Sequence, residues 1–150
     1  MSSNGNLGAL SGVIVVDLTQ ILAGPVCTML LADMGADVIK VEKPNGGDDN
    51  RRMGPPFVKG PNDDASDRCS VNHWSAGFMA TNRNKRSLAL DLHDERGKDV
   101  LRRLVARADI LVENFRPGVM DRFGLGYLEL SKIKPELVYC TISGFGSTGP

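Results

Sequence analysis

The chain has 150 residues, 41% of them apolar, which is the size and composition of about one soluble globular domain. Its 18 Lys and Arg balance 18 Asp and Glu, so no global field draws it to nucleic acid or to an anionic membrane surface. No apolar run approaches the ~20 residues of a membrane span, and any anion site must come from a local cluster.

Residues 1–9 read as a flexible polar tail without the basic n-region of a signal peptide, which points to a cytoplasmic location. The run VIVV at 13–16 ends on Asp17 and predicts a strand. A loop over 19–24 follows, with Asp17 placed to cap or orient it. Pro25 fits the first turn of a helix, where its missing N–H costs nothing. Val26, Met29, Leu30 and Met34 fall at helical spacing and predict its apolar face. Gly35 sits where a left-handed C-cap is needed. VIKV at 38–41 restarts as a strand. This is one βαβ unit, expected to close with a right-handed crossover. Ligands in such sheets bind at the carboxyl ends of strands, so the loop 19–24 and the segment 42–47 are the places for function.

Residues 44–68 form a long loop rich in Gly, Pro and Asp, and a connection of that length is functional or mobile. Asp48, Asp49, Asp63 and Asp64 lack the spacing and terminal Glu of a calcium loop, and no metal is expected. Residues 71–80 predict a short helix and 87–92 a strand. Residues 94–108 predict the clearest helix, with Asp94 and Glu95 at its start. Val100, Leu101, Leu104, Val105 and Ala108 form its buried stripe, and Arg102, Arg103 and Arg107 its solvated face. A strand at 110–112, short helices at 117–123 and 127–132, and a strand at 137–142 complete the chain. Strands alternating with helices imply an α/β, Rossmann-like, mainly parallel sheet covered on both faces.

Cys27, Cys69 and Cys140 are odd in number and lack CxxC spacing, which suggests neither zinc nor a redox pair. Cys27 and Cys140 read as buried small hydrophobes, Cys69 as a loop residue, and His73 beside Trp74 as local packing. GFGSTG at 144–149 matches GxGxxG, but the dinucleotide fingerprint also needs a following helix and an acid about 20 residues on, which cannot be read before Pro150.

Several motifs occur together: LAGP at 22–25, NRNKRS at 82–87, VENFRPG at 112–118, GLGY at 124–127 and SGFG at 143–146. In this order and spacing, from about Leu10 onward, the chain resembles the amino-terminal portion of the class III CoA-transferases. That family includes formyl-CoA and carnitine CoA-transferases and is related to α-methylacyl-CoA racemase. The resemblance implies a CoA-binding α/β region over 10–150, incomplete at its C-terminus. It implies transfer of CoA between an acyl-CoA and a small carboxylic acid, in an interlaced homodimer, with coenzyme A as substrate and no metal, nucleic acid or membrane involved.

Family positions that hold CoA fall on Leu22, Ala23, Lys43, Leu90, Asn114, Phe115, Arg116 and Arg122. CoA carries a pyrophosphate and a 3′-phosphate, so its site needs cations and donors. The basic cluster at 82–86 and Lys40 are further sources of positive charge. Phe115 offers a surface to adenine, and small Ala23 and Gly24 allow close backbone approach. Formyl-CoA transferases carry Gln where this chain has Leu22. Leu cannot hydrogen-bond a small carboxylate, which argues against oxalate or formate and for a larger dicarboxylic or branched acyl group. The family's nucleophilic Asp lies past residue 150, so no catalytic residue is expected within this chain. A racemase relative and a non-catalytic CoA-binding module are the alternatives.

Overall fold

A computed structural model describes residues 8–58, 74–146 and 148–149. The elements in chain order are β1 (Ile14–Asp17), α1 (Ala23–Asp33), β2 (Asp37–Glu42), a 3-10 turn (Asp49–Arg52), β3 (Phe57–Val58) and β4 (Trp74–Ser75), then α2 (Ala76–Thr81), β5 (Lys85–Ala89), α3 (Glu95–Val105), β6 (Ile110–Glu113), α4 (Val119–Arg122), α5 (Tyr127–Ile133) and β7 (Val138–Thr141). Five strands make one parallel sheet in the order β5-β2-β1-β6-β7. Val16 pairs with Ile39 on one side and Leu111 on the other. The chain winds outward from β1 to β2 and β5, then returns to lay β6 against the free edge of β1. The strand order therefore reverses between β1 and β6, the position where open α/β sheets bind ligands.

The two sheet faces differ in chemistry. On one, Val16, Val41 and Leu111 meet Leu101 and Val105 of α3, Leu125 between α4 and α5, and Leu130 of α5. Leu101, Val105, Leu111, Leu125 and Leu130 have no solvent exposure, and each such side chain contributes about 1.5–3 kcal/mol of apolar burial. On the other face Val15, Val38 and Val112 pack with Ala32 and Ala36, while Asp17, Lys40 and Glu42 of the same strands are buried and polar.

That polarity explains where α1 departs from its apolar pattern. The helix begins at Ala23, which puts Pro25 in its first turn as expected, and buries Gly24, Pro25, Thr28, Met29 and Ala32. Leu30 and Met34 are 52% and 44% exposed. A face of small residues centred on Thr28 brings its hydroxyl to Asp17 Oδ2 at 2.7 Å, a contact that a Leu stripe cannot make. Gly35 takes φ +101°, as a helix-stopping glycine does. Gly8 packs so closely on Met34 and Gly35 that a Cβ there would overlap the Met34 carbonyl.

The segment after Pro44 is not a structureless excursion where it is described. Asp48 caps the turn Asp49–Arg52, accepting from the Asn50 N–H, and β3 pairs antiparallel with β4. The helix expected over 71–80 is α2, with Ser75 as N-cap. β5 starts at Lys85, before the alternating LALDL run, because Lys85 and Arg86 pair in register with Val38 and Ile39. Leu101 and Val105 of α3, and Ala108 just beyond its end, are buried as the stripe implies, but Val100 is 38% exposed. Cys27 and Cys140 are half-buried free thiols, less enclosed than expected. Cys69, His73, Asp63, Asp64 and the first seven residues lie outside the described residues.

Candidate functional site

β1 delivers the chain to the switch point and Asp17 turns it. Its Oδ1 accepts from the Thr19 N–H at 2.9 Å and the Thr19 hydroxyl at 2.5 Å, so the carboxylate orients the loop that follows. Its Oδ2 lies 3.0 Å from Lys85 Nζ. Burial lowers the Lys85 pKa, and the Asp17 charge opposes that shift.

The next two residues are gripped by side chains distant in sequence. Gln20 donates its N–H to Asn114 Oδ1 at 2.8 Å and accepts from Asn114 Nδ2 at 2.9 Å, across 94 positions. Ile21 adopts φ +69°, a conformation that is an outlier for a β-branched residue and costs on the order of 1–3 kcal/mol. Its N–H donates to Asp48 Oδ1 at 3.0 Å and its carbonyl accepts from Asn50 Nδ2 at 2.8 Å. Facing this loop, the turn after β6 is set by Glu113, whose Oε2 accepts from the Phe115 N–H at 2.8 Å.

Between the two turns lies a cleft of about 430 Å³ lined by Gln20, Ile21, Leu22, Ala23, Asn114, Phe115 and Arg116. Five of the eight candidate residues, Leu22, Ala23, Asn114, Phe115 and Arg116, thus converge from two ends of the sequence. Arg116 is exposed and forms no ion pair among the described residues, so its guanidinium is available to an anion. Asn114 lines the cleft but spends its amide on Gln20, which makes it a tie between the walls as well as a candidate contact.

The other three candidates lie elsewhere. Lys43 is exposed and its Nζ is 2.6 Å from Asp49 Oδ1. Leu90 follows the end of β5, packs on the larger core and gives its N–H to the Glu42 carbonyl. Arg122 is exposed on α4, its guanidinium near Gly118.

The basic cluster at 82–86 is not a free source of charge. Arg83 pairs with Asp33, Arg86 with Asp37, and Lys85 is buried on Asp17. Lys40 is likewise buried, donating to the Thr19 carbonyl at 2.8 Å and facing Asp48 Oδ2 at 2.9 Å. Gly24 is small for an internal reason, since a Cβ there would overlap the Thr19 side chain.

Behind the loop, Glu42 gathers the turn after β2. It accepts from the Asp48 N–H at 2.9 Å, from Arg51 through Nε and Nη2 at 2.8 and 2.7 Å, and from the Ser87 hydroxyl at 2.8 Å. Burial pushes its carboxyl up, but the Arg51, Asp48 and Ser87 hydrogen bonds outweigh it and hold the pKa down at about 2.

Sequence reasoning missed Gln20, Ile21, Asp48 and Asn50. The only sequence signal for the last two is an Asx turn, Asp48 followed two residues later by Asn50, and nothing marks Ile21 as strained. Among the described residues, none that lines the cleft is an acid, a histidine or a cysteine, and those present offer hydrogen-bonding, apolar and cationic groups. Among the described residues no cluster of acids, His and Cys has metal-site geometry, and no helix is long and apolar enough to cross a membrane.

A doubly covered parallel sheet with its cleft at the β1/β6 reversal defines a Rossmann-like α/β fold. Comparison with known proteins makes this specific: the model of CoA-transferase family III matches residues 10–150, and the chain belongs to that family. It is 47% identical over 141 residues to the succinyl-CoA:glutarate CoA-transferase of Mus musculus, covering 94% of this chain and 29% of that protein. It is 46% identical over 143 residues to the acetyl-CoA:oxalate CoA-transferase of Acetobacter aceti, covering 95% of this chain and 33% of that protein. A solved CAIB/BAIF family protein from Brucella suis superposes with a TM-score of 0.85 at 47% identity, over 96% of this chain and 35% of that one. The chain spans about a third of the length of the relatives it matches.

Proposed function

We propose that this segment is the CoA-binding part of an enzyme that moves CoA between an acyl-CoA and a carboxylic acid. The observation that carries the reading is the convergence of Leu22, Ala23, Asn114, Phe115 and Arg116 on one cleft at the strand reversal. The cleft takes part of the CoA, Phe115 offers its ring to the adenine, and Arg116 meets a phosphate, with Arg122 and Lys43, outside the cleft, supplying further charge. The acyl-carrying Asp implied by the family lies downstream. In that chemistry the Asp carboxylate attacks the thioester carbonyl and expels CoA thiolate, leaving a mixed anhydride. The thiolate returns to the enzyme-side carbonyl, forms an enzyme thioester and frees the donor acid. The acceptor carboxylate attacks that thioester, releasing thiolate again, and thiolate attack on the acceptor carbonyl of the second anhydride gives the new acyl-CoA and regenerates the Asp.

Leu22 at the cleft, with no hydrogen bond to give a small carboxylate from its side chain, favours a larger dicarboxylic acid over oxalate. The glutarate named for the mouse relative supports this, while the oxalate named for the Acetobacter relative supplies the competing acceptor. The functional assembly is an interlaced homodimer, a reading supported by the exposed apolar Leu128 and Val138 at the β7 side of the sheet, 74% and 58% accessible.

The test is CoA binding by calorimetry with the protein and its Ala23→Trp variant, together with chromatographic detection of CoA exchange from succinyl-CoA to glutarate or oxalate by an enzyme that extends through the downstream Asp. Filling the cleft abolishes binding if the reading is right. Undiminished affinity in a folded Ala23→Trp protein would move the CoA site elsewhere.

A further inference from the structure

We propose that Asp48 and Asn50 are positioning residues, which hold Ile21 in its left-handed conformation and thereby keep the wall at residues 20–23 in binding shape before ligand arrives. The proposal rests on the CoA-binding reading of the cleft. Neither residue lines the cleft, and both reach its wall directly through the Ile21 backbone.

The backbone of Ile21 does not choose φ +69° for itself, because a Cβ branched on both sides crowds the carbonyl there. The conformation is imposed from outside. Its N–H is held by Asp48 Oδ1 and its carbonyl by Asn50 Nδ2, at 3.0 and 2.8 Å. The clamp is itself rigidly seated. Asp48 is 2% exposed and Asn50 7%. Asp48 gives its N–H to Glu42, faces Lys40 Nζ at 2.9 Å, and shares Oδ1 with the Asn50 N–H at 3.0 Å. Asn114 holds Gln20 from the opposite side.

This grip does not serve burial. The side chains it presents, Ile21 and Leu22, are 43% and 59% exposed and line the cleft. A strained backbone, over-determined by buried polar groups and displaying apolar side chains to an open cleft, is an arrangement built for ligand shape.

The experiment compares the protein with Asn50→Ala and Asp48→Ala by hydrogen exchange at the Ile21 amide, by thermal melting and by CoA calorimetry. Releasing the clamp should speed exchange at Ile21 at least tenfold and weaken CoA about tenfold in variants that remain folded. If the two residues serve only stability, the variants melt earlier yet bind CoA unchanged, and that result overturns the proposal. Asp48→Ala strands Lys40 without its counter-charge; if that variant fails to fold, Asn50→Ala, which removes no charge, carries the test. If the wild-type protein does not bind CoA, the reading of the cleft falls. The exchange arm then decides the clamp, and an Ile21 amide unmoved by Asn50→Ala sinks it.

Discussion

Lys85 Nζ lies 3.0 Å from Asp17 Oδ2, and neither side chain is more than 2% exposed. The ammonium also donates to the Pro25 carbonyl and Asn82 Oδ1, both at 2.9 Å, so it knots the start of β5 to the end of β1 and the first turn of α1. Removing the cation leaves Asp17 charged and buried with only neutral donors. Lys85→Ala should therefore destabilise by about 3–5 kcal/mol, the usual cost of breaking a buried pair. Urea unfolding at neutral pH measures this. A loss below about 1 kcal/mol, or a fall in CoA affinity in the folded variant, would return Lys85 to the phosphate-binding role its basic neighbours suggest.

The contrast marks what sequence can carry. Alternating apolar runs and helix-stopping glycines placed the main strands and helices, since those signals depend on local periodicity. The rule for ligand position in parallel sheets pointed to the loop 19–24, and the family resemblance added Asn114, Phe115 and Arg116 at the end of a second strand. Charge could not be read in the same way. Arg83, Lys85 and Arg86 look alike in a string, yet each is consumed by a carboxylate at least 49 positions away. The strain at Ile21 and the small buried face around Thr28 also depend on partners in other elements. Neither leaves a local trace.

Gly24 distinguishes two reasons for being small. In the structure the constraint is Thr19, so Gly24→Ala should cost roughly 1–3 kcal/mol of stability in the absence of any ligand, as overpacking does. Thermal melts of the ligand-free protein test it. An unchanged melt with weakened CoA binding would show instead that the space is kept for the ligand.

Glu42 predicts an acid-sensitive step. Its pKa falls from 4.5 unfolded to about 2 folded. A depressed carboxyl stabilises fully above the unfolded value and loses that contribution as pH falls through the folded one, so the window is pH 4.5 down to about 2. At about 1.4 kcal/mol per unit, this is on the order of 3 kcal/mol. Glu42→Gln should flatten the dependence of unfolding free energy on pH across that window. A slope identical to wild type would mean that another carboxylate governs acid unfolding.

Arg116 and Lys43 should differ although both are exposed cations assigned to CoA. Arg116 lines the cleft without an ion pair among the described residues, so a phosphate gains a charge-assisted bond of roughly 1.5–3 kcal/mol. Arg116→Ala should then weaken CoA about ten- to a hundredfold. Arg122→Ala should lose a comparable factor if CoA extends to α4, where Arg122 is exposed. Lys43 must first leave Asp49, at 2.6 Å, and an exposed pair of that kind is worth about 0–1 kcal/mol in either role. Lys43→Ala should therefore change affinity only a few-fold. Calorimetry at low and at raised salt checks the order, because screening weakens exposed charges most. If Lys43→Ala proves the most damaging of the three, the phosphates sit over the turn after β2, and the cleft at the strand reversal holds some other part of the ligand.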